Sequence, residues 1–156
     1  MMAAPKYVID TCSLTKMRHT YPSDIFPTAW QKLTVLSGSG ILISAEDVLE
    51  ELSAFDDEIL KWAVLQDDFF YPLDNSIQKL ATEILTDHPG LLDLRKNKSS
   101  GDPFIIATAL YNECALVTEE KISNSPIRPK IPNVCKALGV ECITIIEMFR
   151  REELCV

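Results

Sequence analysis

The carboxylates of this chain are the side chains whose placement could do chemistry. Asp10 closes the short apolar run Tyr7-Val8-Ile9, and Glu51 sits six positions after the apolar segment ILISA. Asp102 opens the apolar stretch PFIIATAL, and Glu119 and Glu120 follow ALVT. Acids crowded on one rim raise each other's pKa and repel unless a cation sits among them. Mg2+ or Mn2+ suits such a group, because both prefer oxygen donors. One or two carboxylates with waters and a substrate phosphate complete their shell. The chemistry in view is therefore metal-assisted hydrolysis of a phosphate ester.

Each acid also has a purely structural reading. Asp10 can cap a following helix, and Asp-Pro at 102–103 is ordinary helix-start grammar. Glu50 and Glu51 separate on a helical wheel. Ala45, Val48, Leu52 and Phe55 define an apolar face, and at ~100° per residue Glu51 borders that face while Glu50 lies nearly opposite. Alternation after ALVT sends Glu119 and Glu120 to opposite sides, so only one reaches a shared cleft, and spacing leaves both candidates open.

The elements that must position these acids alternate in type. The runs 7–9, 41–43, 115–118 and 141–145 read as short buried strands. Helices are expected over 13–20, from Ser23 as cap to about Ser37, over 45–55 behind a capping box of Ser44 and Asp47, and over 57–66. The run FFYP reads as a turn into Leu73, a helix follows over 75–87, and HPG at 88–90 ends it. LLDLRKNKSSG reads as a short helix entering a polar loop, the most apolar helix begins at Asp102, a short helix ends at Gly139, and a final helix closes the chain. Short apolar strands alternating with helices predict an α/β fold: one domain over 1–156, with a parallel sheet of four to five strands covered on both faces. Ligands of such sheets bind outside the strands' carboxyl ends, which is where Asp10 and the 119–120 pair fall.

Composition narrows the class. The chain has 156 residues, 47% of them hydrophobic, enough for a core without disulfides. Net charge is −8, from 15 basic and 23 acidic residues, which argues against broad electrostatic wrapping of nucleic acid. Cys12, Cys114, Cys135, Cys142 and Cys155 match no zinc spacing and read as reduced thiols. Two histidines, His19 and His88, are too few for a histidine-based metal site. No apolar run is long enough for a membrane span and the N-terminus lacks a signal-peptide pattern, so a cytoplasmic protein with no membrane partner is expected.

The segments YVIDTCSL, SAEDVLEEL, GDPFIIATAL and ALVTEEK, in that order, resemble the PIN-domain family. The likeness is to the VapC-like branch known as domain of unknown function 4411, and KIPNVCKALGVECITIIEMF resembles the C-terminal part of that branch. The resemblance implies a single PIN-like domain with catalytic, metal-holding acids at Asp10, Glu51, Asp102 and Glu120. It selects Glu120 over Glu119. Relatives often carry Asp at that corner and Asn where Cys12 stands. Thr11, Ser13 and Thr118 are expected to orient the acids through hydrogen bonds.

The implied activity is a Mg2+- or Mn2+-dependent endoribonuclease that hydrolyses RNA phosphodiesters, often the toxin of a toxin–antitoxin pair. The expected partners are RNA, a cognate antitoxin protein and a second copy in a homodimer. Arg95, Lys96, Lys98 and Lys121 flank the acids in sequence and are the candidates for phosphate contacts. Competing readings remain. A non-catalytic PIN-like binding module with a partly degenerate acidic site fits Cys12 and Glu120. An aspartyl-nucleophile phosphatase needs a second Asp at position 12, where Cys stands. A phospho-receiver domain needs a phosphoacceptor Asp after a middle strand, which ILISAE does not supply.

Overall fold

A computed structural model describes residues 4–55, 57–91, 102–125 and 129–154, with only the backbone described at 55, 57 and 102. Five strands form the sheet: β1 (Tyr7–Ile9), β2 (Leu42–Ala45), β3 (Phe70–Tyr71), β4 (Ala115–Val117) and β5 (Cys142–Ile143). The helices are α1 (Thr11–Thr20), α2 (Pro27–Gly38), α3 (Glu46–Phe55), α4 (Asp57–Val64), α5 (Asn75–Asp87), α6 (Asp102–Tyr111), α7 (Ile131–Leu138) and α8 (Ile145–Arg151). A single 3-10 turn over Pro89–Leu91 follows α5.

All strand pairs are parallel, in the order β3-β2-β1-β4-β5. Tyr7, Val8 and Ile9 are buried on both faces of the sheet, as a central parallel strand requires. Right-handed crossovers that step from β1 to β2 and β3 place α1–α4 on one face, and those that step to β4 and β5 place α6 and α7 on the other. The packing agrees: α1 meets α3 and α4, while α6 meets α5 and α7. This α/β arrangement is consistent with a single PIN-like domain.

α6 is apolar on nearly every side because it lies against β1, β2 and β4 and is itself covered by α5 and α7. Ile105, Ile106, Ala107 and Ala109 are buried, and buried Thr108 satisfies its hydroxyl by donating to the Phe104 carbonyl at 2.7 Å. α6 precedes β4, so its ten residues run back along the sheet for about 15 Å. Its first residue, Asp102, therefore stands at the rim where the strands end.

Four local expectations are corrected. α2 starts at Pro27 with Phe26 as cap, not at Ser23, because proline at the first helical position is pre-organised there. FFYP is not simply a turn: Phe70 and Tyr71 pair with Ser44 and Ala45 as edge strand β3. Phe69 anchors that strand, packed edge-on against Trp62 and Phe70. ECITI contributes only Cys142 and Ile143 to the sheet, since Thr144 already caps α8 through the Glu147 N–H. Ser44 belongs to β2 and does not stand at the helix start: its hydroxyl donates to the Ile9 carbonyl at 2.6 Å and ties β2 to β1.

Candidate active site

Chain direction reverses its drift at the middle of the sheet. Connections leaving β1 lead to β2 and β3, those leaving β4 lead to β5, and β1 and β4 lie side by side. Their carboxyl ends therefore flank a topological switch point, the usual ligand crevice of an open parallel sheet. Asp10 follows β1 and Thr118 follows β4.

Asp10 is buried, 6% exposed, with extended backbone, and it caps α1. The structural reading of this residue is thus correct as far as it goes: Oδ1 accepts the Ser13 N–H at 3.0 Å. The carboxyl group does more than cap. Thr118 Oγ1 donates to Oδ2 at 2.5 Å, and Cys12 Sγ lies 3.2 Å from Oδ1 and 3.0 Å from Oδ2. Every one of these donors is neutral. Burial pushes the Asp10 carboxyl up to about 6, and the hydrogen bonds from Thr118, Cys12 and Ser13 offset only part of that. Burial, with the Asp10 charge beside it, pushes the Cys12 thiol up to about 12, so it stays protonated and remains a donor.

Besides donating to Asp10, Thr118 Oγ1 accepts the Glu120 N–H at 3.1 Å. Ser13 orients Asp10 through its backbone, while its hydroxyl donates to the Val117 carbonyl at 3.2 Å and binds α1 to β4. Thr11 begins α1 half-buried, and among the described residues it makes no hydrogen bond to an acid.

The two glutamates after β4 divide their tasks. Glu119 Oε2 meets Lys16 Nζ at 3.2 Å, and Oε1 accepts the Ile145 N–H at 3.1 Å, so this side chain joins α1 to the start of α8. Among the described residues Glu120 Oε2 accepts one long bond, 3.4 Å, from the N–H of Ile131 at the start of α7. A hydrogen bond to Cys135 lowers the Cys142 thiol, against burial and the charges of Asp10, Glu120 and Glu141. Glu119 is thus held by Lys16 and the start of α8.

On α3 the wheel assignment holds: Glu50 is exposed and Glu51 is half-buried. Sequence reading took Asp47 only as helix-start grammar. Asp47 is 8% exposed in the first turn of α3, one helical turn from Glu51 on the same face. Its place two residues past the carboxyl end of β2 is the signal that could have singled it out; its burial shows only in the packing.

Asp102 is at the rim by its backbone, and its side chain lies outside the described residues, as do Arg95, Lys96 and Lys98. Lys121 is exposed beside Glu120, and His19 is exposed on α1. Cys12, Cys114, Cys135 and Cys142 are free thiols; Cys155 lies outside the described residues. Among the described residues, no three acids, cysteines or histidines stand close enough to hold a metal ion. The donor chemistry nevertheless suits a hard cation. Asp10 is a desolvated carboxyl met only by neutral donors, and among the described residues no lysine or arginine pairs with it.

Residues 7–156 match the family described as Domain of unknown function (DUF4411). The chain belongs to that family. No curated protein matches it. The match spans β1 through α8, so the switch-point acids, the α6 start and the α7–α8 segment all fall inside the family region. Among the described residues of this DUF4411 chain, no helix is long and apolar enough to cross a membrane.

Proposed function

We propose that this DUF4411 chain is a PIN-like, VapC-related endoribonuclease that hydrolyses RNA phosphodiesters with Mg2+ or Mn2+, and that it serves as the toxin of a toxin–antitoxin pair. The observation that carries this reading is Asp10: a buried carboxyl at the switch point between β1 and β4, met among the described residues by the neutral donors Ser13, Thr118 and Cys12. A site that binds a cation there gains on binding what burial has cost the free carboxylate.

Asp10 would hold the ion, with Asp102, Glu51 and Glu120 as the further oxygen donors. A bound ion would lower the pKa of a water and offset charge on the phosphoryl oxygens. Thr118 holds Oδ2 of Asp10 in place, and its own hydroxyl is oriented by the Glu120 N–H. Glu120, lightly held by Ile131, is the acid free to accept a proton from an attacking water. Lys121, exposed next to it, would meet a substrate phosphate.

The test is cleavage of single-stranded and structured RNA by wild-type, Asp10→Asn and Asp102→Asn protein. Cleavage should need Mg2+ or Mn2+ and be absent from both variants while their fold is intact. Activity that persists in EDTA or in either variant sinks the reading.

One observation favours a second reading, a non-catalytic binding module: the described side chains contain no three-donor group. Calorimetry with Mn2+ separates the two. Folded protein that releases no heat at millimolar metal supports the binding module.

A further inference from the structure

The free thiols of the described residues are not equivalent. Cys12 is bonded to Asp10, and Cys114 Sγ donates to the carbonyls of Pro5 at 3.4 Å and Asn112 at 3.5 Å. Cys135 and Cys142 meet each other instead, through a hydrogen bond between their side chains. A tight turn brings them together. Gly139 ends α7 with φ +76, its N–H bonded to the Cys135 carbonyl, and the Val140 N–H bonds to the same carbonyl at 2.9 Å. The chain thus doubles back from α7 into β5, and α7 packs on that strand. Cys135 is fully buried, while Cys142 is half-buried on β5, an edge strand of the sheet. The pair is one reachable thiol in front of one enclosed thiol. α7 also anchors the segment that follows Glu120. The Ile131 N–H reaches Glu120 Oε2 at 3.4 Å, and Asn133 Oδ1 accepts the N–H groups of Ser123 at 2.8 Å and Lys130 at 3.0 Å.

We propose that Cys135 and Cys142 form a reversible redox site: a disulfide between them fastens α7 to β5 and so steadies the segment behind Glu120. The co-reactant is a small-molecule disulfide. Cys142, as thiolate, attacks one of its sulfurs, which forms a mixed disulfide and releases one small thiolate. Cys135 then gives up its proton and attacks the Cys142 sulfur, which forms the Cys135–Cys142 bond and releases the second small thiolate. The protein pair is oxidised by two electrons and loses two protons; the small disulfide is reduced to two thiols. Excess thiol runs both steps backwards. Disulfide geometry is narrow, and two thiols already in contact across a tight turn meet it with little backbone movement. This site is independent of any metal chemistry at Asp10.

The experiment treats folded wild-type, Cys135→Ala and Cys142→Ala protein with glutathione disulfide, without denaturant, and maps the products by peptide mass spectrometry. Urea denaturation first establishes that each variant is folded. Wild-type protein should carry a bond between Cys135 and Cys142, and reduced glutathione should remove it. Cys135→Ala should stop with glutathione on Cys142, and Cys142→Ala should leave the enclosed Cys135 unmodified. Amide hydrogen exchange at Ser123 and Ile131 should be slower in the oxidised wild-type protein than in the reduced one. Wild-type protein in which Cys142 stays a thiol, keeps its glutathione or bonds to another cysteine overturns the proposal, and this arm decides it even where a variant fails to fold. A Cys135–Cys142 bond that appears only in urea overturns it as well, because the folded state then does not bring the pair together. Equal exchange in the two forms overturns the fastening of the segment behind Glu120.

Discussion

Thr118 Oγ1 donates to Asp10 Oδ2 at 2.5 Å across 108 positions of sequence, and this bond clasps the carboxyl ends of β4 and β1. Both residues are buried, so the bond has no solvent substitute. Thr118→Val keeps the shape and removes the donor. Its expected cost is ~1–3 kcal/mol, the price of leaving a buried acceptor short of a partner. Thr118→Ser should recover most of that loss. Urea unfolding at neutral pH measures both, and an unchanged Thr118→Val midpoint would contradict the assignment.

The raised Asp10 carboxyl makes stability depend on pH in a set direction. Its folded value is about 6 against 3.8 for the unperturbed group, so over that interval the folded state holds the proton and the unfolded state does not. The Asp10 contribution is therefore full below the lower value, falls as pH rises through the interval, and stays lost above it. The fall amounts to ~3 kcal/mol at most. Asp10→Asn lacks this dependence. Subtracting its urea stability from that of wild-type, stepwise from about pH 4 to about pH 7, should give a declining curve that levels off. A flat difference would remove desolvation from the account of this site.

Divalent metal should act against that loss. A cation bound by ionised Asp10 stabilises the folded state by mass action, so Mn2+ at about a hundred times its Kd should add roughly 2.7 kcal/mol. A melting curve should rise with Mn2+ for wild-type protein at neutral pH, return to baseline in EDTA, and not move for Asp10→Asn.

Glu119 and Glu120 should separate stability from activity. Glu119→Ala loses the Lys16 pair and the acceptor for the Ile145 N–H, with an expected cost of ~1–2 kcal/mol, mostly from the helix cap because the ion pair is partly solvated. Glu120→Gln loses little packing and should stay within ~0.5 kcal/mol of wild-type while lowering RNA cleavage. The reverse pattern would exchange the roles given to the two residues.

Gly139 ends α7 with φ +76, and nothing crowds a Cβ built there. Gly139→Ala should therefore cost about 1 kcal/mol from left-handed backbone strain alone, visible as a lower urea midpoint. A neutral result would mean that the turn can change its conformation.

Much of the fold was legible along the chain. Local rules place β1, β2, β4 and α6, because short runs buried on both sides of a sheet are apolar at every position. The split of Glu50 from Glu51 was legible too, since a helical wheel depends only on the 3.6-residue period. β3 was not: a two-residue edge strand carries too little pattern, and Phe69 earns its burial from Trp62 on another element. Asp47 was hidden for a related reason. An acid in a first helical turn reads as charge–dipole grammar, and only packing shows that it is buried.

The sequence by itself determined which acids stand at strand and helix ends, because those ends are set by local propensity and apolar period. Tertiary structure decided what the acids touch beyond their own helices. Glu119 is held by Lys16, 103 positions earlier, and by the N-terminus of α8. Asp10 is held by Thr118 because β1 and β4 are neighbours in the sheet and not in the chain. Contacts of that range follow from strand order, which no local pattern encodes. The desolvation that raises Asp10 comes from the same packing, so its chemistry, unlike its position, could only be read in three dimensions.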